Sequence, residues 1–293
     1  MIDSLRQRAH QLLWPFNFAV PARINGKRFR LPILRGMGGS LRHDAEPWMT
    51  GTLRHLLALA PGAAFMDVGV NLGQTLLKVK SLARDISYLG FEPSAFCVHF
   101  VNELIRLNQL PNCELIPAGL ADQAGLLEFV ACSEVDAGAS TVADLRPGRV
   151  PLRRQHVPVF ALDDLSPDLV SANYAIIKID VEGAEFAVLS GMQRFLKQRQ
   201  PWVICEVLHA DTAAQLPTLR ERNAQLTRVL NDCEYFPYRL LKTERQTLAL
   251  GLQPVTLFDD LVWNGHTSPA MCDYLFVPTG AVTQTLRAFG AAS

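Results

Sequence analysis

Three short segments constrain the fold of this chain more than the rest of it. Residues 65–75 read Phe-Met-Asp-Val-Gly-Val-Asn-Leu-Gly-Gln-Thr, residues 88–93 read Tyr-Leu-Gly-Phe-Glu-Pro, and residues 176–185 read Ile-Ile-Lys-Ile-Asp-Val-Glu-Gly-Ala-Glu. Each is an apolar run that ends in an acid beside a turn, as parallel strands do where their carboxyl ends meet a ligand. The first predicts a strand over residues 63–68, a tight turn, and a helix beginning near Gly73. Gly69 and Gly73 give that turn backbone angles closed to other residues and let the chain approach a ligand with no Cβ in the way.

The acids indicate which ligand. The spacing Asp67-x-Gly69-x-Asn71-x-Gly73 is not the Gly-x-Gly-x-x-Gly of dinucleotide folds. A dinucleotide offers a pyrophosphate to the helix N-terminus, whereas S-adenosylmethionine (SAM) has no phosphate and carries an ammonium group that suits an Asp ahead of the glycines. Glu92, about 25 residues after Asp67, ends the second strand, where an acid accepts both ribose hydroxyls. The plainer reading of Glu92 is an acid at the start of the next helix, with Ser94 as its cap.

On these residues the chain resembles the FkbM family of SAM-dependent methyltransferases. The resemblance is carried by Asp67-Val-Gly-Val-Asn-Leu-Gly73, Phe91-Glu-Pro93, Leu120-Ala-Asp122 and, above all, Ile177-Lys-Ile-Asp-Val-Glu-Gly-Ala-Glu185. It covers residues 62–207 and, more weakly, the remainder to 278. Val70 departs from the small Ala more usual there. The resemblance implies a class I, Rossmann-like α/β fold with a mostly parallel sheet covered by helices on both faces. It also implies methylation of hydroxyl groups, as many family members act on sugars or polyketide products. Cofactor contacts are expected from Asp67, Gly69, Asn71, Gly73, Gln74, Glu92, Pro93, Leu120 and Asp180.

The remaining pattern fits that class. Apolar runs alternate with helical periodicity, as in a parallel sheet. Residues 1–60 read as an extension: a terminal helix, a hairpin turning at Asn25-Gly26, a Gly-rich loop at 36–39, and a helix over 47–59. Residues 61–293 are expected to form the methyltransferase domain that the resemblance implies. The helix expected over 94–109 places Phe96, Phe100, Leu104 and Leu107 on one core face. Strands are expected near 113–117, 126–130, 157–160, 175–180, 202–207, 235–241 and 274–277. Ala118 to Asp122 falls where adenine lies in such folds.

The formal net charge is zero, with 28 basic and 28 acidic residues, which argues against a nucleic-acid partner or an anionic membrane patch. Arg146, Arg149, Arg153 and Arg154 form a local basic segment, read as a solvated loop or a contact for an anionic substrate group. The six cysteines, Cys97, Cys113, Cys132, Cys205, Cys233 and Cys272, show no close pairing, consistent with buried thiols and a cytoplasmic protein. No apolar run reaches the length of a membrane helix. Arg6 and Arg8 ahead of Leu12, Leu13, Trp14 and Phe16 read as a short docking helix rather than a cleaved signal, since Pro15 interrupts the run.

Catalysis is expected at the carboxyl ends of the central strands. Asp180 is the first candidate, as base, as a group orienting the acceptor hydroxyl, or as a partner of the cofactor's ammonium; its structural alternative is a helix cap. Glu206 and His209 form a second candidate pair, the imidazole titrating near neutral pH. Asp180, Glu206 and His209 are also eligible ligands for a divalent ion, but their spacing is not diagnostic and no metal is predicted. Acceptor contacts are expected from Arg35, His43 and Trp48 of the extension, and from Ser140 and Thr141. The acceptor is expected to be a small molecule or glycan. Two other classes remain open: a non-catalytic SAM-binding or partner-binding module, and a nicotinamide-dependent oxidoreductase.

Overall fold

The computed structural model describes residues 17–43, 46–131, 153–243, 249–264 and 268–290. The expected terminal helix and the loop around residues 137–141 lie outside these. An N-terminal hairpin, β1 (Phe18–Ile24) and β2 (Lys27–Ile33), turns at Asn25 and Gly26, both at positive φ as the Asn-Gly pair predicts. Asn25 Nδ2 donates to Ser81 Oγ at 2.8 Å, which ties the turn to the domain. Helix α1 (Pro47–Leu59) follows, opened by a Pro in its first turn, and buries Trp48, Met49, Leu53 and Leu56.

The domain then alternates: β3 (Ala64–Val68), α2 (Gln74–Leu82), β4 (Tyr88–Phe91), α3 (Ala95–Asn108) and β5 (Cys113–Ile116). A side sheet of β6 (Gly119–Leu120), β7 (Gly125–Ala131) and β8 (Arg153–Phe160) interrupts. The main sheet resumes with β9 (Tyr174–Ile179), α4 (Glu185–Ser190), α5 (Gln193–Arg199), β10 (Trp202–Glu206), α6 (Leu216–Asp232), β11 (Tyr235–Lys242), β12 (Ala249–Pro254), β13 (Asp273–Pro278) and α7 (Val282–Ala288). Its eight strands run in the order β12-β11-β13-β10-β9-β3-β4-β5, with β10, β9, β3, β4 and β5 parallel and β13, β11 and β12 joined by antiparallel pairings. β12 has no counterpart in the sequence reading. Gly251 and Pro254 read as breakers, and an edge strand tolerates them because one side of it needs no partner.

Both faces of the sheet are covered, so β3 is buried along its whole length. Phe65 and Ile176 pack on the face of α1, α2, α3 and the hairpin, while Met66 and Ile177 pack on the face of α4, α5 and α6. Val70 is accounted for here: its Cγ2 lies 2.6 Å from where a Cβ on Gly90 would stand, so the valine fills space that the glycine opens. Cys97, Cys205, Cys233 and Cys272 are buried free thiols. Among the described residues, no helix is long and apolar enough to cross a membrane.

The chain leaves β3 for β4 and β5 on one side and returns to β9 and β10 on the other, which makes the β3/β9 boundary the switch point where a ligand crevice opens. The backbone there is in tight contact. Asp180 N donates to Val68 O at 3.0 Å, and Gly69, at φ 90°, comes so close that a Cβ on it would stand 1.9 Å from Asp180 O. Gly69→Ala is therefore expected to lower stability by more than about 2 kcal/mol through positive-φ strain and that overlap, measured by urea unfolding; an unchanged midpoint would contradict the packing described.

Candidate active site

The crevice at the switch point is lined by residues from the ends of β3, β4 and β9 and from the side sheet. Gly69, Asn71, Glu92, Pro93, Leu120 and Asp180, which the sequence marks as candidate cofactor contacts, are among them. Glu92 is the best anchored. One carboxylate oxygen accepts from Asn71 N at 2.7 Å and the other from Ser94 N at 2.8 Å. Ser94 also caps α3, so Glu92 and the cap share one turn. Burial pushes the Glu92 carboxyl up to about 7, with the Ser94 and Asn71 amides pulling it down.

Three of the expected cofactor residues stand elsewhere. Asp67 is fully buried beneath the crevice, accepts from Tyr88 Oη at 2.5 Å, and leaves Oδ1 with no hydrogen-bond partner. Burial raises its carboxyl to about 6, opposed by Lys178 and by the Tyr88 hydroxyl. It braces the strand end and does not line the crevice. Gly73 is the residue before α2, and a Cβ there would meet Leu104 of α3 at 3.0 Å, so its smallness serves helix packing. Gln74 begins α2 and is likewise not among the lining residues.

Beside the crevice lies a group of buried and half-buried charges. Asp180, just past β9, pairs with Lys178 Nζ at 2.9 Å. Glu206, at the end of β10, is hydrogen-bonded to Asp180; burial, Asp180 and Asp273 hold its carboxyl well above the usual carboxylate range. In the antiparallel register Glu206 faces Asp273, which pairs with Lys242 of β11. Burial likewise raises Asp273, although Lys242 pulls it down. From the extension comes Glu46, raised to about 7 by burial, Asp273 and Asp180 against Lys178 and Lys78. The sequence reading missed Glu46, Asp273, Lys178 and Lys242. A signal for Glu46 exists in hindsight, since it precedes Pro47 at the start of a helix, yet a positive φ of 54° for a Glu is not something sequence foretells.

Other expected residues are not brought to the crevice. Trp48 is wholly buried, with Lys242 Nζ 4.6 Å from its ring centre, so it has no face open to a sugar. Arg35 and His43 are exposed near the hairpin, where Gly38 packs on Phe100 of α3. Ser140 and Thr141 lie outside the described residues. His209 is buried, with its ring 6.4 Å from that of Trp263 and neither nitrogen hydrogen-bonded, and burial lowers its pKa so that the ring is neutral. It is not a lining residue, nor does it join the group whose ligand atoms lie within 4.8 Å of one another, which is Glu206, Cys272 and Asp273.

The crevice lining discriminates between cofactors by charge. Among the described residues it holds three carboxylates, Glu92, Asp180 and Glu182, and neither Lys nor Arg. Such a wall repels a pyrophosphate and attracts a sulfonium and an ammonium, so it fits SAM and opposes a nicotinamide dinucleotide. Leu120, Phe129 and Val159 form an apolar part of the crevice lining. Residues 67–261 match the family described as Methyltransferase FkbM domain. The chain belongs to this family. It is thus a member of a SAM-dependent methyltransferase family, with the α/β fold that family membership implies. Among solved structures, it is similar to a methyltransferase FkbM from Methylobacillus flagellatus KT at 13% identity, covering 74% of this chain and 43% of that one, with a TM-score of 0.43. It is also similar to a precorrin-6y C5,15-methyltransferase from Geobacter metallireducens GS-15 at 12% identity, covering 78% and 85%, with a TM-score of 0.36. The chain thus spans less than half of the first of these. No curated protein matches the sequence.

Glu92 makes stability depend on pH. Its folded value of about 7 lies above the ordinary 4.5, so the folded protein keeps a proton that the unfolded chain gives up. The stability it contributes is fully present below pH 4.5 and is lost as pH rises through 7. Glu92→Gln removes this loss. Urea unfolding at pH 5 and pH 8 should show the cofactor-free variant losing less stability than wild type across that interval, by as much as a few kcal/mol; equal losses would contradict a buried, proton-holding Glu92.

Proposed function

We propose that the protein transfers a methyl group from SAM to a hydroxyl of a sugar, a glycan or a glycosylated small molecule. The observation that carries this is the position of Asp180: it lines the cofactor crevice and is also hydrogen-bonded to Glu206 in the buried carboxylate group. A hydroxyl acceptor must give up a proton as it attacks, and a carboxylate beside the methyl donor is where that proton can go. Carboxylates also accept hydrogen bonds from neighbouring hydroxyls, so the partly exposed Asp180 suits a hydroxylated, uncharged acceptor.

Bound SAM supplies an electrophilic methyl group. The protein's part is positioning and proton removal. Lys178 keeps negative charge on Asp180 through their ion pair, and the proton held by Glu206 lets it donate to Asp180 and fix the carboxylate's orientation. Asp180 would accept the acceptor O–H and take its proton as the oxygen gains the methyl group, the methyl–sulfur bond breaking to leave a neutral thioether. Glu182, left-handed at φ 54°, stands at the crevice wall where it helps hold the ammonium end. A half-buried proton-handling pair next to the crevice favours an enzyme over a module that only binds SAM.

Asp180→Asn is expected to lower kcat by about 10²- to 10⁴-fold on a hydroxyl acceptor from a glycan panel, with transfer followed by labelled methyl groups. The Kd for SAM should rise far less than kcat falls, because Glu92 and Glu182 remain in the crevice wall. Undiminished turnover in this variant would remove Asp180 as the base.

A further inference from the structure

Away from the cofactor crevice, at the opposite end of α3, lies a second concavity of about 880 Å³. The first turn of α3 meets the cofactor crevice through Cys97, whereas Leu107, Asn108 and Gln109 line this cleft. The helix rises by about 15 Å between Cys97 and Leu107, at about 1.5 Å per residue. The walls of the cleft carry Arg23, Arg28, Arg30, Arg42 and Arg84 and, among the described residues, no acidic residue.

These arginines are concentrated at a cost to the free protein. Arg23 stands directly opposite Arg28 in the hairpin register, and the alternation that shares their face adds Arg30 opposite Pro21. Like charges directly across an antiparallel pair repel. The side chains of Arg23, Arg28, Arg30 and Arg42 have neither an ion pair nor a hydrogen bond among the described residues, and all four are exposed. The floor beneath them is nonetheless fixed. Asn108 Oδ1 accepts from Arg30 N at 2.7 Å, Asn108 Nδ2 donates to Arg30 O at 2.8 Å, and Arg84 donates to the carbonyls of Asn108 and Gln109 at 3.0 Å each. The hairpin and the helix end are thereby locked together, so the guanidinium groups start from a held scaffold.

We propose that this cleft binds a phosphate-bearing ligand, through bidentate contacts from the hairpin arginines. The wall uses Arg throughout, the side chain whose planar fork matches phosphate oxygens, and five positive charges around one concavity call for a ligand of dense negative charge such as a diphosphate. The site is independent of methyl transfer, since no residue lines both cavities.

Calorimetric titration of the full chain with sodium pyrophosphate, against sodium chloride of equal ionic strength, tests this in wild type, Arg23→Thr and Arg28→Thr, with SAM titrated in parallel. Pyrophosphate should bind wild type and bind each variant about tenfold or more weakly, while SAM affinity is unchanged. Each variant should also melt at the same or a higher temperature than wild type without ligand, because a like-charge pair is relieved and Thr suits a strand. Binding of phosphatidylglycerol vesicles but not pyrophosphate, lost in the same variants, would assign the phosphate to a lipid surface. Absence of both, or binding indifferent to the substitutions, overturns the proposal, and unchanged SAM binding keeps that outcome separate from the methyltransferase reading.

Discussion

The contact on which the rest of the site depends is between two backbones: Gly69 at the end of β3 and Asp180 at the end of β9. A glycine at positive φ lets the β3 turn come within a Cβ's width of the Asp180 carbonyl, and Asp180 N closes the junction by donating to Val68 O. This closeness fixes where Asp180 sits relative to the cradle formed by Asn71 and Glu92. A looser switch point would still bury Phe65, Met66, Ile176 and Ile177. It would not bring one carboxylate to both the cofactor crevice and the acid group beyond it.

Charge is the second organising constraint. The crevice lining is acidic, and Asp67, Glu92, Glu46, Asp273 and Glu206 are all buried enough to have their carboxyls raised. Lys178 and Lys242 offset part of that charge, and protons offset more. The free protein is therefore poised to exchange protons when a cation enters. Burial of this many acids costs stability, which is common where a site is prepared for a ligand and not for the free state.

Much of this was legible in the sequence. The parallel strands, the cradle turn and Glu92 follow from apolar runs ending in acids, and the hairpin follows from Asn25-Gly26. What the sequence reading assigned wrongly shares one cause: side-chain direction depends on tertiary packing. Asp67 shares a strand end with the ligand-facing residues, yet its side chain points under the crevice to Tyr88. Trp48 looked like a stacking platform and is instead core, with Lys242 over its ring. Glu46 was invisible because its role needs a left-handed turn and a strand more than two hundred residues on. The arginine cleft was hidden by the zero net charge, which averages away a local concentration on one hairpin face.

The most direct test of the acid-walled cradle is the proton balance of SAM binding. Titration at pH 6.5 in buffers of different ionisation enthalpy should show SAM binding with net proton release, because a cationic ligand favours the ionised form of Glu92, whose free value is about 7. The release should vanish at pH 9, and nicotinamide dinucleotide should not bind. Absence of SAM binding by the folded protein, or binding with no proton released at pH 6.5, would contradict the account.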